Sequence, residues 1–118
     1  MKSIELISVP VTDQQKSKEF YLKMGLKLER EAPFGKDQQW IQLSFPKGGT
    51  TITLVTWFPN MPAGCMQGVT ISCDDIEAEI KKLNLKGIVT GKLDNTPWGK
   101  FASIQDPDGN TWSLHQNA

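Results

Sequence analysis

Few residues of this chain have the chemistry to hold a metal ion or activate a substrate. There is one histidine, His115, and there are two cysteines, Cys65 and Cys73. The cysteines lack the paired spacing of a zinc site, so they read as a loop thiol and a core thiol, both reduced. A lone imidazole with no carboxylate nearby is a poor metal site, and His115 reads as a polar contact at a cavity mouth or a surface residue. Asp106-Pro107-Asp108-Gly109-Asn110 brings two aspartates and a glycine together. It lacks the further acidic ligands and closing Glu of a calcium loop, whereas its Pro and Gly suit a type I turn. Glu77 with Lys81 and Glu79 with Lys82 stand at helical spacing and read as a solvated helix face.

These residues sit in a chain of 118 residues with thirteen basic and thirteen acidic side chains. One domain with one core suits that length. Zero net charge argues against nucleic acid or an anionic membrane as partner. No apolar run approaches the ~20 residues of a membrane span. Ile4 to Val9 reads as a strand and not as a signal peptide, so the expected location is cytoplasmic.

The elements that would position a site occur twice. A strand over Ile4 to Val11 leads to Asp13, a good helix N-cap. Ser17, Phe20, Tyr21 and Met24 then mark one face of a helix that stops at Gly25. Strands follow at Leu26 to Glu31, Gln39 to Phe45 and Thr50 to Trp57, the last two separated by the turn Pro46-Lys47-Gly48-Gly49. The order recurs with a strand at Val69 to Cys73 and a helix capped at Asp74-Asp75 that carries Ile76, Ile80 and Leu83. Three strands complete it: Leu85 to Val89, Phe101 to Gln105 and Thr111 to His115. Asp13 answers Asp75, Pro33-Phe34-Gly35-Lys36 answers Pro97-Trp98-Gly99-Lys100, and Pro46 answers Pro107, at an offset of roughly 60 residues. The expected class is α+β, with two βαβββ modules in a single domain over 1–118. Module one covers about 1–58, a breaker-rich linker 59–65, and module two about 66–118. The linker allows the modules to pair within one chain or to swap between chains.

The chain resembles the vicinal oxygen chelate superfamily, which includes glyoxalases, bleomycin resistance proteins and dioxygenases. The resemblance rests on Val9-Pro10-Val11-Thr12-Asp13, Lys16-Ser17, Phe20-Tyr21, Met24-Gly25-Leu26 and the segment Phe101 to Trp112, and it covers essentially the whole chain. It implies an eight-stranded, cupped pseudo-twofold sheet with helices outside and a ligand cavity inside. It also implies a homodimer, since clefts in bleomycin resistance proteins form at the dimer interface. Metal-dependent members carry one ligand seven residues before each capping Asp and another four residues after each turn glycine. Here those positions hold Leu6, Gly68, Thr53 and Ser113, none of which suits a divalent transition metal.

Strand alternation reads out the rest of the cup. Ile7, Val9, Val11, Ile41, Leu43, Ala102, Ile104, Trp112 and Leu114 face the helices. Leu6, Ser8, Trp40, Gln42, Thr53, Val55, Thr70, Phe101, Ser103, Ser113 and His115 are left to bind ligand, with Trp40 and Phe101 as aromatic walls and no charge on the inner face. Phe34, Trp57, Phe58, Met61 and Trp98 fall in loops around the rim, as a lid or a dimer contact. Such a lining suits an uncharged, partly aromatic ligand held without cofactor or metal, as in a sequestering resistance protein. A metal-dependent lyase, isomerase or dioxygenase is the second reading, and it would need an atypical site from Glu5, Gln67 and His115. A dimerisation module with a vestigial cup is the third.

Overall fold

The computed structural model describes residues 1–118. Its elements run β1 (Leu6–Pro10), α1 (Gln14–Met24), β2 (Lys27–Pro33), β3 (Gln39–Ser44), β4 (Thr51–Val55), β5 (Val69–Ser72), α2 (Ile76–Leu85), β6 (Asp94–Thr96), β7 (Gly99–Gln105) and β8 (Thr111–Asn117). Both helices begin where the sequence places their caps. The Asp13 and Asp75 carboxylates each accept from a first-turn amide, of Lys16 and Ala78, at 3.1 Å, which satisfies donors that lack helical partners. α1 ends at Gly25 with φ 119°, a conformation that a β-carbon would strain.

One strand lies elsewhere than its hydrophobicity predicts. Leu85, Ile88 and Val89 read as strand, but Leu85 ends α2 and Gly87 (φ 81°) turns the chain. Only Ile88 enters the core, at 4% exposed, while Leu85 and Val89 stay in solvent. The strand forms later, at the polar triplet Asp94–Thr96, held by its ladder to β7. Pairing partners decide it, since the triplet has little intrinsic strand preference.

The strands make two four-stranded sheets, ordered β1-β4-β3-β2 and β5-β8-β7-β6, and no ladder joins them. The β1–β4 and β5–β8 ladders are parallel and the others antiparallel. Val9, Ile41, Leu43, Ile52 and Leu54 are buried on one face of the first sheet; Ala102, Ile104, Trp112 and Leu114 are buried on one face of the second. Trp112 packs into the first sheet's cluster beside Tyr21, and Phe20 and Met24 of α1 touch both clusters. The apolar faces therefore turn toward each other through the helix layer, the arrangement that removes most apolar surface from water. Each polar face is left looking away from the other. Which chain completes a cup was open from the sequence; within one chain the two polar faces do not enclose one.

A buried polar clasp ties the two halves. Tyr21 donates its hydroxyl proton to Asp106 Oδ2 at 2.7 Å and accepts from Trp112 Nε1 at 2.9 Å. Asn110 Nδ2 donates to Asp106 Oδ2 at 2.9 Å and to the Pro10 carbonyl at 2.8 Å. The expected turn is present, with the Gly109 amide donating to the Asp106 carbonyl at 3.0 Å. Its motif thus serves the fold: it seats Asp106 where a buried carboxylate can be fully bonded.

Candidate functional site

The polar face of the first sheet is set by register. Ser8, Thr53, Gln42 and Arg30 form one row across it, since paired residues share a face. Gln42 accepts from Trp40 Nε1 at 3.1 Å and donates to Thr51 Oγ1 at 2.9 Å, so indole and amide lie fixed along the sheet. Beside them Thr53 is 1% exposed, yet its hydroxyl has no partner. A buried hydroxyl left unbonded costs about 1–3 kcal/mol. An aromatic bank continues from Trp40: Phe34 lies 5.7 Å from Trp40 and 4.8 Å from Trp57, and Trp57 lies 6.2 Å from Phe58.

The second sheet offers a matching face. Ser72, His115, Phe101 and Asp94 make one row, and Thr70, Ser113 and Ser103 another. The Phe101 and His115 rings stack with centroids 4.4 Å apart and planes 21° from parallel. His115 Nε2 lies 3.1 Å from the Trp98 carbonyl. A carbonyl only accepts, so Nε2 carries a proton and donates it to Trp98. Gly99 keeps this geometry open, because a β-carbon there would sit 2.8 Å from His115 Nε2.

Strand alternation thus sorts the expected lining into two groups. Leu6, Ser8, Trp40, Gln42, Thr53 and Val55 belong to strands of the first sheet; Thr70, Phe101, Ser103, Ser113 and His115 belong to the second. Trp40 and Phe101 do not meet within one chain. Of the rim aromatics, Phe34, Trp57 and Phe58 join the bank on the first sheet, whereas Trp98 stands alone at 76% exposed.

Three charged residues on these faces correct the expectation of a neutral lining: Lys27, which pairs with Ser44, together with Arg30 and Asp94. In β2 the register slips between Leu28 and Arg30, so Glu29 is an extra residue and Arg30 pairs with Gln42 on the polar face. Glu31 then returns to the helix side, where it binds Lys18 at 2.9 Å and Gln15 at 2.8 Å. Asp94 is carried onto the second face by its pairing with Phe101. Arg30 and Asp94 were not visible to a period-two reading, because one lies beyond a bulge and the other in the displaced strand. On α2, Glu77 binds Lys100 at 2.8 Å, while Glu79 stands 3.9 Å from Lys82.

The family implies a metal ion in some members, and the side chains here do not fit one. Leu6, Thr53, Gly68 and Ser113 provide aliphatic groups, hydroxyls and a bare backbone at the ligand positions. Glu5 precedes β1 and His115 belongs to the other sheet, and no three His, Cys, Asp or Glu side chains converge anywhere.

On the helix side, β1 and β5, which are free edge strands of their sheets, border a groove of about 880 Å³. Ile4, Ile7, Met24, Phe45, Ile71 and Cys73 are among its lining, and the exposed Lys47–Asp74 ion pair stands at its margin. Burial pushes the Cys73 thiol above its ordinary range, so it stays protonated and behaves as a small apolar side chain.

The chain belongs to the Glyoxalase/Bleomycin resistance protein/Dioxygenase superfamily, whose sequence profile matches residues 3–114. The uncharacterised protein YetH of Bacillus subtilis (strain 168) is 31% identical over 121 residues, covering 98% of this chain and 99% of its own. TnmS3, an antibiotic binding protein from Streptomyces sp. CB03234, is 38% identical, with a TM-score of 0.93 over 100% of this chain and 98% of its own. A glyoxalase/bleomycin resistance protein from the same organism is 40% identical, with a TM-score of 0.87 over 97% and 100% of the two chains.

Proposed function

We propose that this protein binds a planar, partly aromatic small molecule, without a metal ion, in clefts formed between two copies. The first sheet of one copy closes on the second sheet of the other. The observation that carries this reading is the packing of the apolar faces against each other, which leaves both polar faces turned outward, where each can supply one wall of a pocket. β1 and β5 supply the free edges along which two copies can align, and the groove between them gives those copies an apolar contact. Similarity to an antibiotic binding protein supports a binding role over catalysis. Each face is uncharged at its centre, with Lys27, Arg30 and Asp94 confined to the outermost strands β2 and β6. Trp40 and its aromatic neighbours on one wall, and the Phe101–His115 stack on the other, suit a flat ring system.

Mixing two defective proteins tests the arrangement. Trp40→Ala and Phe101→Ala each spoil every cleft of their own dimer. A mixed dimer has one cleft with both walls intact, so random exchange restores about one cleft in four. Calorimetric titration with a planar aromatic probe should show sites reappear on mixing. No recovery after exchange counts against a cleft shared between copies. A stoichiometric transition metal in protein purified without chelator would favour a metal-dependent enzyme instead.

A further inference from the structure

We infer that Arg30 reads an anionic oxygen on the ligand, so that the ring system bound here carries an acidic substituent such as a carboxylate. This rests on the cleft described above and adds the chemical class of what fills it. Arg30 is the chain's sole arginine. The slip in β2 removes it from the helix side, where Lys18 and Lys100 are engaged by Glu31 and Glu77. On the polar face it has no ion-pair partner, and its guanidinium is exposed next to Gln42. A guanidinium presents a planar fork of donors matched to a carboxylate, and a strand bulge is a recurrent means of re-aiming one side chain toward a ligand.

The same row holds a second, independent sign of a missing partner. Thr53 stands directly opposite Gln42, is 1% exposed and has a hydroxyl bonded to nothing. Gln42, between them, already has one amide proton on Thr51 and its oxygen on Trp40. Thr53, Gln42 and Arg30 therefore form a strip with an unpartnered buried hydroxyl at one end and an exposed guanidinium without an ion-pair partner at the other, beside the Trp40 indole on which a ring can stack. A conjugated acid satisfies it: the ring lies along Trp40, an acceptor on the ring takes the Thr53 hydroxyl proton, and the carboxylate reaches outward to Arg30. Asp94, on the outer strand of the second sheet, is the one carboxylate placed on the facing wall, and its distance from the cleft's centre leaves the ring contacts to uncharged groups.

A charge-matched pair of probes tests this. Naphthalene-2-carboxylate and naphthalene-2-carboxamide share shape and stacking area and differ in charge. Calorimetry on the wild-type protein should give the carboxylate about five- to tenfold tighter binding, the span expected for an exposed charge-assisted contact. Arg30→Gln should erase that ratio, and Arg30→Lys should keep part of it, since the charge remains and the fork is lost. Because Arg30 is exposed and bonded to no other side chain, the variants should fold as the wild type does. Equal binding of both probes, or a carboxylate preference that survives Arg30→Gln, overturns the proposal while the cleft stands. Binding of neither probe to the wild type would overturn the planar-ligand reading itself, and this inference with it.

Discussion

Tyr21 and Asp106 come from opposite halves of the chain, and the 2.7 Å hydrogen bond between them is buried. Tyr21 is 0% exposed and Asp106 5% exposed. Removing the phenol leaves Asp106 one donor short and strands the Trp112 indole N–H. Tyr21→Phe should lower stability by about 1–3 kcal/mol, the cost of unpaired buried polar groups. Urea unfolding checks this, and an unchanged midpoint would mean that the Tyr21–Asp106 bond adds nothing to what holds the halves together.

The same pair makes stability depend on alkaline pH. Burial first, then the Asp106 charge, raises the Tyr21 pKa far above its ordinary 10.0. The folded protein therefore keeps a proton that the unfolded chain releases near pH 10. The Tyr21 contribution is complete below that pH and is lost as pH rises beyond it. Wild type should lose stability between about pH 9.5 and 11 more steeply than Tyr21→Phe, compared by urea midpoints across that range.

Thr53 should show a trade between stability and binding. Replacing it with Val keeps the branched shape and deletes the unpartnered hydroxyl, so the free protein should gain up to about 1–2 kcal/mol. Affinity for a planar acid should fall in the same variant. Thermal unfolding and calorimetry together decide it. A loss of stability would mean that the hydroxyl is already bonded in the free protein.

Gly99→Ala should disturb the second wall. The new β-carbon meets the Gln116 carbonyl and lies 2.8 Å from His115 Nε2, and φ of 127° adds backbone strain. A loss of about 1–3 kcal/mol is expected, along with a shifted His115 ring signal in the NMR spectrum. An unshifted ring would show that the contact with Trp98 does not depend on the glycine.

Ile4 tests the groove. It is 66% exposed on one chain yet lines the groove between the sheet edges. Ile4→Asp costs a single chain little but places a charge in the proposed contact between copies. The mass by light scattering should fall toward that of one chain at low micromolar concentration. A dimer that persists would locate the contact elsewhere.

The repeated pattern, the helix caps and the inward alternation were all legible in the residues. Asp13, Asp75 and Gly25 signal their structure locally, and Ile7 with Val9, Ile41 with Leu43, Ala102 with Ile104 and Trp112 with Leu114 repeat at every second position. What escaped depends on other strands. β6 has no apolar pattern and exists because β7 pairs with it. Arg30 changes face through a slip that no local composition marks. The separation of Trp40 from Phe101 follows from how two finished halves pack, which strand parity does not specify.

Gly64 has a consequence for how such a protein releases what it holds. Its amide donates to the Pro10 carbonyl at 3.3 Å, and a β-carbon on it would collide with the Asp108 carbonyl. Thr12 Oγ1 reaches Asp108 at 2.7 Å close by. The connector is thus held to the first half at Pro10, and Met66 just beyond it is held to Asn110 and Thr111 of the second. In the proposed arrangement a ligand shared between two copies leaves when the copies part, so its occupancy should fall as the protein is diluted into the range where the copies separate.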